Sequence, residues 1–148
     1  MSTYTQLIYQ IVFSPKNHEK VLAKENRAQL FKYITGILKA NSCHVYSING
    51  VSDHIHIALS ISPSKSVSSI VADIKRSTSL WIKQNRIFPH FTYWQKGYGA
   101  FTYSNKDKQF IIGYIKNQEV HHKKVTFIEE YISMLDEFDV DYDEWYIK

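Results

Sequence analysis

A short alternating run, Asp53-His54-Ile55-His56-Ile57-Ala58-Leu59-Ser60-Ile61, constrains the fold of this chain more than any other feature. Successive side chains of a β-strand point to opposite faces, so the isoleucines and the leucine would share one apolar face. His54 and His56 would share the other face. Two imidazoles about 6.6 Å apart along one strand can converge on a single ion. The run therefore predicts a strand with one apolar face and suggests a divalent metal site, the alternative being a solvated polar face.

Composition limits the architecture to one domain. A chain of 148 residues with 44% hydrophobic residues can bury a substantial core. Its apolar runs are too short to span a membrane, and the N-terminus lacks the pattern of a signal peptide. Cys43 is the single cysteine, which excludes an intrachain disulfide and a multi-cysteine zinc site. We therefore expect a cytoplasmic protein in which Cys43 is a small buried apolar residue.

The charge is unevenly distributed along the chain. Residues 1–125 contain 17 lysines and arginines against 6 acidic residues, whereas residues 126–148 contain 8 acidic residues against one lysine. A basic body favours a polyanionic partner, nucleic acid first, and the alternative is that the lysines only keep the protein soluble. An acidic tail does not favour DNA binding. We interpret residues 126–148 as a helix and tail that pack on the same domain or on a dimer partner, or shield the basic surface.

Three further strands are predicted around the histidine strand. Alternation from Leu7 to Phe13 predicts the first strand, and Cys43 to Ile48 predicts the second. Asn49-Gly50 is a typical turn that would join the second strand to the histidine strand as a hairpin. The glycine-containing aromatic segment from Gly99 to Tyr103 predicts the last strand.

Helical spacing of apolar residues predicts four helices, over about 18–40, 67–84, 105–122 and 126–138. Capping-box patterns begin the third helix at Ser104 and the fourth at Thr126. The resulting order of elements is strand, helix, strand, strand, helix, strand. This order predicts a ferredoxin-like (RRM-like) α+β fold, an antiparallel sheet backed by helices, with extra C-terminal helices.

The third predicted helix carries a second group of candidate site residues. Tyr114 and Gln118 are four residues apart and therefore share a helix face, which His121 continues. A tyrosine hydroxyl is a weak nucleophile unless a metal withdraws charge from the phosphate that it attacks. Gln118 offers an oxygen that would complete a His-His-Gln site with open positions, which suits Mg²⁺ or Mn²⁺. The alternative is a core tyrosine and a solvated glutamine.

Several motifs occur in a fixed order over roughly residues 9–122. They are Asp53-His54-Ile55-His56, a basic helix, the aromatic stretch from Trp94 to Phe101, and Tyr114-Ile115-Lys116-Asn117-Gln118. Together they resemble the single-tyrosine HUH transposases of insertion sequences 200 and 605, a group that includes the REP-associated tyrosine transposases. The resemblance implies a transposase domain over residues 1–125.

The resemblance also implies roles for four residues: two metal-ligating histidines, a third ligand and a nucleophile, namely His54, His56, Gln118 and Tyr114. His121 or His122 could join or replace Gln118. The implied activity is Mg²⁺- or Mn²⁺-dependent cleavage and rejoining of single-stranded DNA near hairpins through a 5′-phosphotyrosine, without ATP. The implied assembly is a homodimer whose tyrosine acts in its own subunit or in the partner. The alternative is a host-serving protein that binds structured single strands without turnover.

Overall fold

The computed structural model describes residues 1–147, which form four strands and six α-helices. The strands are β1 (Ile8–Phe13), β2 (His44–Val51), β3 (His54–Ser60) and β4 (Gly99–Tyr103). The helices are α1 (Lys24–Ala40), α2 (Val67–Asn85), α3 (Lys108–Lys116), α4 (Gln118–His121), α5 (Phe127–Glu137) and α6 (Glu144–Ile147). Short 3₁₀ turns precede α1 and α3, at Lys16–His18 and Asn105–Asp107.

The four strands form one antiparallel sheet in the order β2-β3-β1-β4. This arrangement confirms the predicted α+β fold, with a ferredoxin-like sheet and additional C-terminal helices. The histidine strand β3 is central, between β2 and β1. In its register, Val12 pairs with His56 and Gln10 pairs with Ala58, so these four side chains share one face of the sheet.

The two faces of the sheet are covered by different helices. On one face, the aliphatic side chains of β3 pack with apolar residues of α1 and α2, including Leu30, Ile34, Ile70 and Ile74, in the main core. On the other face, Ala58 packs against Ile111 and Ile115 of α3. The alternation seen in the sequence is therefore correct, but the histidine face is covered by α3 to α5 and is not solvated.

A second apolar cluster attaches the C-terminal helices to the edge of the sheet. Val12 and Phe101 pack there with Phe127, Met134 and Leu135 of α5. The apolar stripe of α5 and its capping box, in which Thr126 and Glu129 bond each other's backbone, agree with the sequence prediction. The face of the sheet that carries the histidines is thus covered by helices of the same chain.

Several local predictions were wrong. Asn49 and Gly50 do not form a turn: they lie in β2 and pair with His56 and Ile55, and the chain turns at residues 52–53 instead. A longer hairpin follows because every added pair contributes backbone hydrogen bonds. The first helix begins at Lys24, because a 3₁₀ turn and extended residues occupy the segment before it.

The third predicted helix is divided at Asn117 into α3 and α4, because the backbone of Asn117 leaves helical geometry. Ser104 does not cap the 3₁₀ turn Asn105–Asp107 that follows it, because its hydroxyl donates to the carboxylate of Asp107. Cys43 is buried, as expected. Among residues 1–147, no helix is both long and apolar enough to cross a bilayer.

The close approach of β2 and β3 at Gly50 gives a first prediction. A Cβ at this position would clash with the carbonyl oxygen of His54 and lie 3.1 Å from Cα of Ile55. We expect Gly50→Ala to lower the free energy of unfolding by about 1–3 kcal/mol, since the crowded atoms are backbone. Urea denaturation measures the change.

Gly36→Ala is the matched control for that substitution. Gly36 is exposed within α1, and an added Cβ would meet nothing within 4 Å. Alanine there should raise the free energy of unfolding by about 1 kcal/mol, because glycine is the poorer helix former. The two substitutions should therefore change the free energy of unfolding in opposite directions. An increase for Gly50→Ala would contradict the close packing of β2 against β3.

Candidate metal centre and nucleophile

His54 and His56 lie at the centre of the sheet and are both completely buried. Their rings are 5.0 Å apart between centroids, and α5 places the ring of Phe127 in a stack against His54. Buried imidazoles need hydrogen-bond partners or ligands for both ring nitrogens. The environment of each nitrogen therefore determines what this pair can bind.

The Nδ1 atoms of three histidines each donate to an oxygen acceptor. His54 Nδ1 is 2.7 Å from Asp53 Oδ1, and His56 Nδ1 is 2.6 Å from Gln10 Oε1. His122, which follows α4, donates from Nδ1 to the carbonyl oxygen of Val125 at 2.7 Å. A proton fixed on Nδ1 leaves the lone pair on Nε2, which is the arrangement of metal-ligating histidines.

The three Nε2 atoms converge on one carboxylate oxygen, Oε1 of Glu130 in α5. The distances to this oxygen are 2.8 Å from His56, 3.0 Å from His122 and 3.4 Å from His54. The four ligand atoms all lie within 4.8 Å of one another. Three lone pairs directed at an anionic oxygen are stable only with positive charge between them, either protons or a cation. This donor set fits a divalent metal.

Tyr114 and Gln118 reach the same carboxylate from α3 and α4. The Tyr114 hydroxyl donates a short hydrogen bond to Oε2 of Glu130. Gln118 is completely buried; its Nε2 donates to Glu130 Oε2 at 3.0 Å, and its Oε1 lies 3.1 Å from His54 Nε2. All four residues predicted from the sequence therefore meet within one chain, around a fifth residue that was not predicted.

The two adjacent histidines occupy different positions. His122 belongs to the cluster of possible ligands, whereas His121 lies to its side. His121 Nε2 is 3.3 Å from Glu130 Oε2, close enough for an ion pair, but it is buried without hydrogen-bond geometry to any described residue. His122 is therefore the better candidate for an additional ligand.

Burial and mutual charge perturb the pKa values of the cluster. Burial alone would raise the pKa of Glu130, but hydrogen bonds from His122, His54 and His56 hold it below the ordinary value. Burial lowers the pKa of His56 to about 4, whereas bonds to Asp53 and Glu130 outweigh burial and raise the pKa of His54. Without a metal, the carboxylate stays ionised, and its charge together with that of Asp53 favours protonation of His54.

Burial also raises the pKa of Tyr114, and the hydrogen bond to Glu130 raises it further. A hydrogen bond to an anion stabilises the protonated phenol. The hydroxyl is therefore held as a neutral donor. It points at the same carboxylate as the imidazoles, so the candidate nucleophile and the candidate ligands lie together.

Glu130 and Gln10 are the residues that sequence reasoning missed, although each left a signal. Glu130 lies on the buried stripe of α5, three residues after Phe127, where an apolar residue is the norm. Gln10 is a buried amide inside the apolar strand β1. A buried polar residue in an apolar pattern indicates a specific partner. Neither signal identifies that partner without the register of the sheet.

Comparison with known proteins assigns the family. A sequence profile described as "Transposase IS200 like" matches residues 3–118. The transposases for insertion sequence element IS200 of Salmonella typhimurium and Salmonella typhi are each 30% identical over 115 residues, covering 74% of this chain and 75% of the relative. The chain belongs to the IS200-like transposase family, a family of DNA-processing enzymes. Glu130 lies outside the matched segment.

Two solved structures share the fold. A Deinococcus radiodurans protein assigned to the transposases superposes with a TM-score of 0.62 at 21% identity, covering 80% of this chain and 95% of that one. The REP-associated tyrosine transposase bound to a REP hairpin superposes with a TM-score of 0.63 at 17% identity, covering 84% and 76%. Both likenesses support the antiparallel sheet with helices on its faces.

The central position of Glu130 gives a second prediction. In metal-free protein, Glu130→Gln should lower the free energy of unfolding at pH 7 by about 3 kcal/mol, because it removes the anion from a buried ionic network. Since the pKa of Glu130 lies below its ordinary 4.5, this stabilisation is present above pH 4.5 and lost as the pH falls. Denaturation with chelator present, at several pH values, measures both effects.

Glu129→Gln is the control for that measurement. Glu129 is exposed, and a glutamine at that position still completes the capping box. The substitution should leave the free energy of unfolding close to that of the wild type. Equal losses for the two glutamines would contradict a central role for Glu130.

Proposed function

We propose that this protein is a metal-dependent transposase that cleaves and rejoins single-stranded DNA near hairpins through a 5′-phosphotyrosine. The observation that carries the proposal is the meeting of the Tyr114 hydroxyl with three imidazole nitrogens on one carboxylate. Such a site places a nucleophile beside groups that neutralise phosphate charge. The family supports the DNA substrate, and the fold neighbour bound to a REP hairpin supports a structured single strand.

In the proposed reaction, the Tyr114 oxygen attacks a phosphate, and the bond from phosphorus to the 3′ oxygen breaks. The 5′ phosphate becomes esterified to Tyr114, and the departing 3′ oxygen takes up a proton from water to leave as a 3′ hydroxyl. Glu130 Oε2, which accepts the phenol hydrogen bond, is positioned to receive its proton. Reversal with another 3′ hydroxyl rejoins a strand. The bond energy is retained in the ester, so ATP is not needed.

The proposed metal ligands are His54, His56 and Glu130, with His122 and Gln118 as further candidates. A divalent cation held there would act as a Lewis acid on the phosphate oxygens. Mg²⁺ prefers oxygen ligands, whereas imidazole suits transition metals. Of the two expected cations, the three imidazoles therefore favour Mn²⁺. Because the site assembles within one chain, the tyrosine can act in its own subunit, and the homodimer remains a prediction.

The covalent intermediate gives a third prediction. With Mn²⁺ and a hairpin-bearing single strand, wild-type protein should form an adduct that survives denaturing electrophoresis. The adduct should carry a 3′ label and not a 5′ label, because the 5′ phosphate stays on the protein. Tyr114→Phe should reduce the adduct to background, and Tyr33→Phe, remote beside Trp81, should leave it unchanged.

Other outcomes of this experiment separate the alternatives. An adduct that persists in Tyr114→Phe would place the nucleophile elsewhere. Cleavage without any adduct would indicate attack by water. Salt-sensitive hairpin binding with no cleavage in any metal would favour a protein that binds structured single strands without turnover.

The adjacent histidines give a fourth prediction, on the ligand set. Calorimetric titration should show tighter binding of Mn²⁺ than of Mg²⁺, and Mn²⁺ should raise the melting temperature until chelator is added. His122→Asn should weaken Mn²⁺ binding by more than about 10-fold, because it removes an Nε2 that faces the cluster. His121→Asn should weaken it by less. The reverse order would exchange the roles of the two histidines.

A further inference from the structure

The site has two openings, which differ in charge. A groove of about 510 Å³ reaches the cluster at Asp53, His122 and Phe127. Its walls carry five cationic side chains, from the segment before α1, the first turn of α1 and the loop after α4: Lys20, Lys24, Arg27, Lys123 and Lys124. We call this the basic groove. Two carboxylates, Asp53 and Glu119, also line it, so cations outnumber anions by five to two.

A second opening, of about 270 Å³, lies on the side of Tyr114. Three carboxylates line it, those of Glu129, Glu130 and Glu137, and none of the described residues around it is a lysine or an arginine. A polyanion is repelled from an acidic opening and attracted to a basic one. The two sides of the site are therefore not equivalent for DNA.

Most cationic charges of the basic groove are available to a ligand, whereas Lys24 is shared with Glu119 in an exposed pair. Asp53 is occupied by His54, and Glu119 pairs with Lys24 at 3.3 Å. Within residues 1–147, Lys20, Lys123 and Lys124 have no carboxylate at ion-pair distance, and all three are exposed. Exposed lysines attract phosphates without the cost of breaking an ion pair.

The acidic tail does not cover this groove. The carbonyl oxygen of Ile147 accepts a hydrogen bond from His18 at 2.9 Å, which places the end of the described chain beside β1. No residue from 139 to 147 lines the basic groove. The described residues after α5 therefore leave the basic groove open.

We propose that the basic groove holds the sugar-phosphate backbone of the single strand next to the phosphate that is cut. The proposal rests on the proposed function for the identity of the strand. Lys20 and Lys24 on one wall and Lys123 and Lys124 on the other contact successive phosphates. Phosphate contacts fix the register of a strand and carry no base preference. The groove therefore positions the strand, and recognition of a hairpin lies elsewhere.

The test replaces the four lysines of the groove and compares them with four distant ones. The groove variant is Lys20→Gln, Lys24→Gln, Lys123→Gln and Lys124→Gln. The control variant, with the same loss of charge, is Lys32→Gln, Lys39→Gln, Lys65→Gln and Lys83→Gln, all exposed and outside the groove. Fluorescence anisotropy with a labelled single strand measures affinity from 50 to 300 mM salt, with melting temperature and Mn²⁺ affinity as checks on folding.

We expect the groove variant to bind at least about 10-fold more weakly at low salt, and its slope of log affinity against log salt to be smaller by about 3, at 0.7 per lost phosphate contact. The control should keep the wild-type slope. Equal losses in the two variants would overturn the proposal, because the lysines would then act only through net charge. A groove variant that binds like wild type would also overturn it.

The same proteins separate this inference from the proposed function. If wild type forms the Tyr114 adduct and the groove variant binds normally, the groove assignment is wrong and the function stands. If wild type forms no adduct but only the groove variant loses binding, the function is wrong and the groove stands.

Discussion

The convergence of three imidazoles, a phenol and an amide on the carboxylate of Glu130 is the interaction on which the rest of the site depends. An ionised carboxylate that is only 3% exposed is costly unless donors surround it. Here the donors come from β3, α3, α4 and the loop before α5. Because the carboxylate is carried by α5, its position depends on the apolar cluster that joins α5 to Val12 and Phe101. The site therefore keeps its geometry only when the C-terminal helices are packed against the sheet.

The sheet supplies the second level of support. Since Val12 pairs with His56, Gln10 lies one pair further along the same face and reaches His56 Nδ1 with its oxygen. Its amide nitrogen donates to the Tyr103 hydroxyl at 2.7 Å, so a residue of the edge strand β4 orients a histidine two strands away. A register shift of one residue would turn Gln10 to the opposite face and remove this contact. The sheet therefore fixes the direction of the imidazoles, and not only their spacing.

Local pattern was enough to predict the strands, the main helices and the histidine face, because each depends on periodicity within a few residues. The turn predicted at Asn49 and Gly50 was wrong because pairing with β3 outweighed the turn preference of that dipeptide. The convergence on Glu130 could not be derived, since it joins residues 74 positions apart through the docking of α5. A charged residue on a buried stripe reveals that a partner exists, whereas tertiary packing decides which one. The resemblance to the transposases ended before Glu130, so it gave no help there.

The charge of Glu130 also explains why the surroundings of the site must be basic. On the proposed reaction path, a phosphate has to approach a buried carboxylate that already lies among the imidazoles and beside the nucleophile. The phosphate and the carboxylate of Glu130 would repel each other strongly in a buried site, where little water screens their charges. Compensation is available from the imidazoles, from a divalent cation that they hold and from the lysines of the basic groove. The acidic opening beside Tyr114 offers none of these lysines. An acidic residue at the centre and a basic groove on one side are thus complementary, because the first orders the catalytic groups and the second provides the attraction that brings a strand to them.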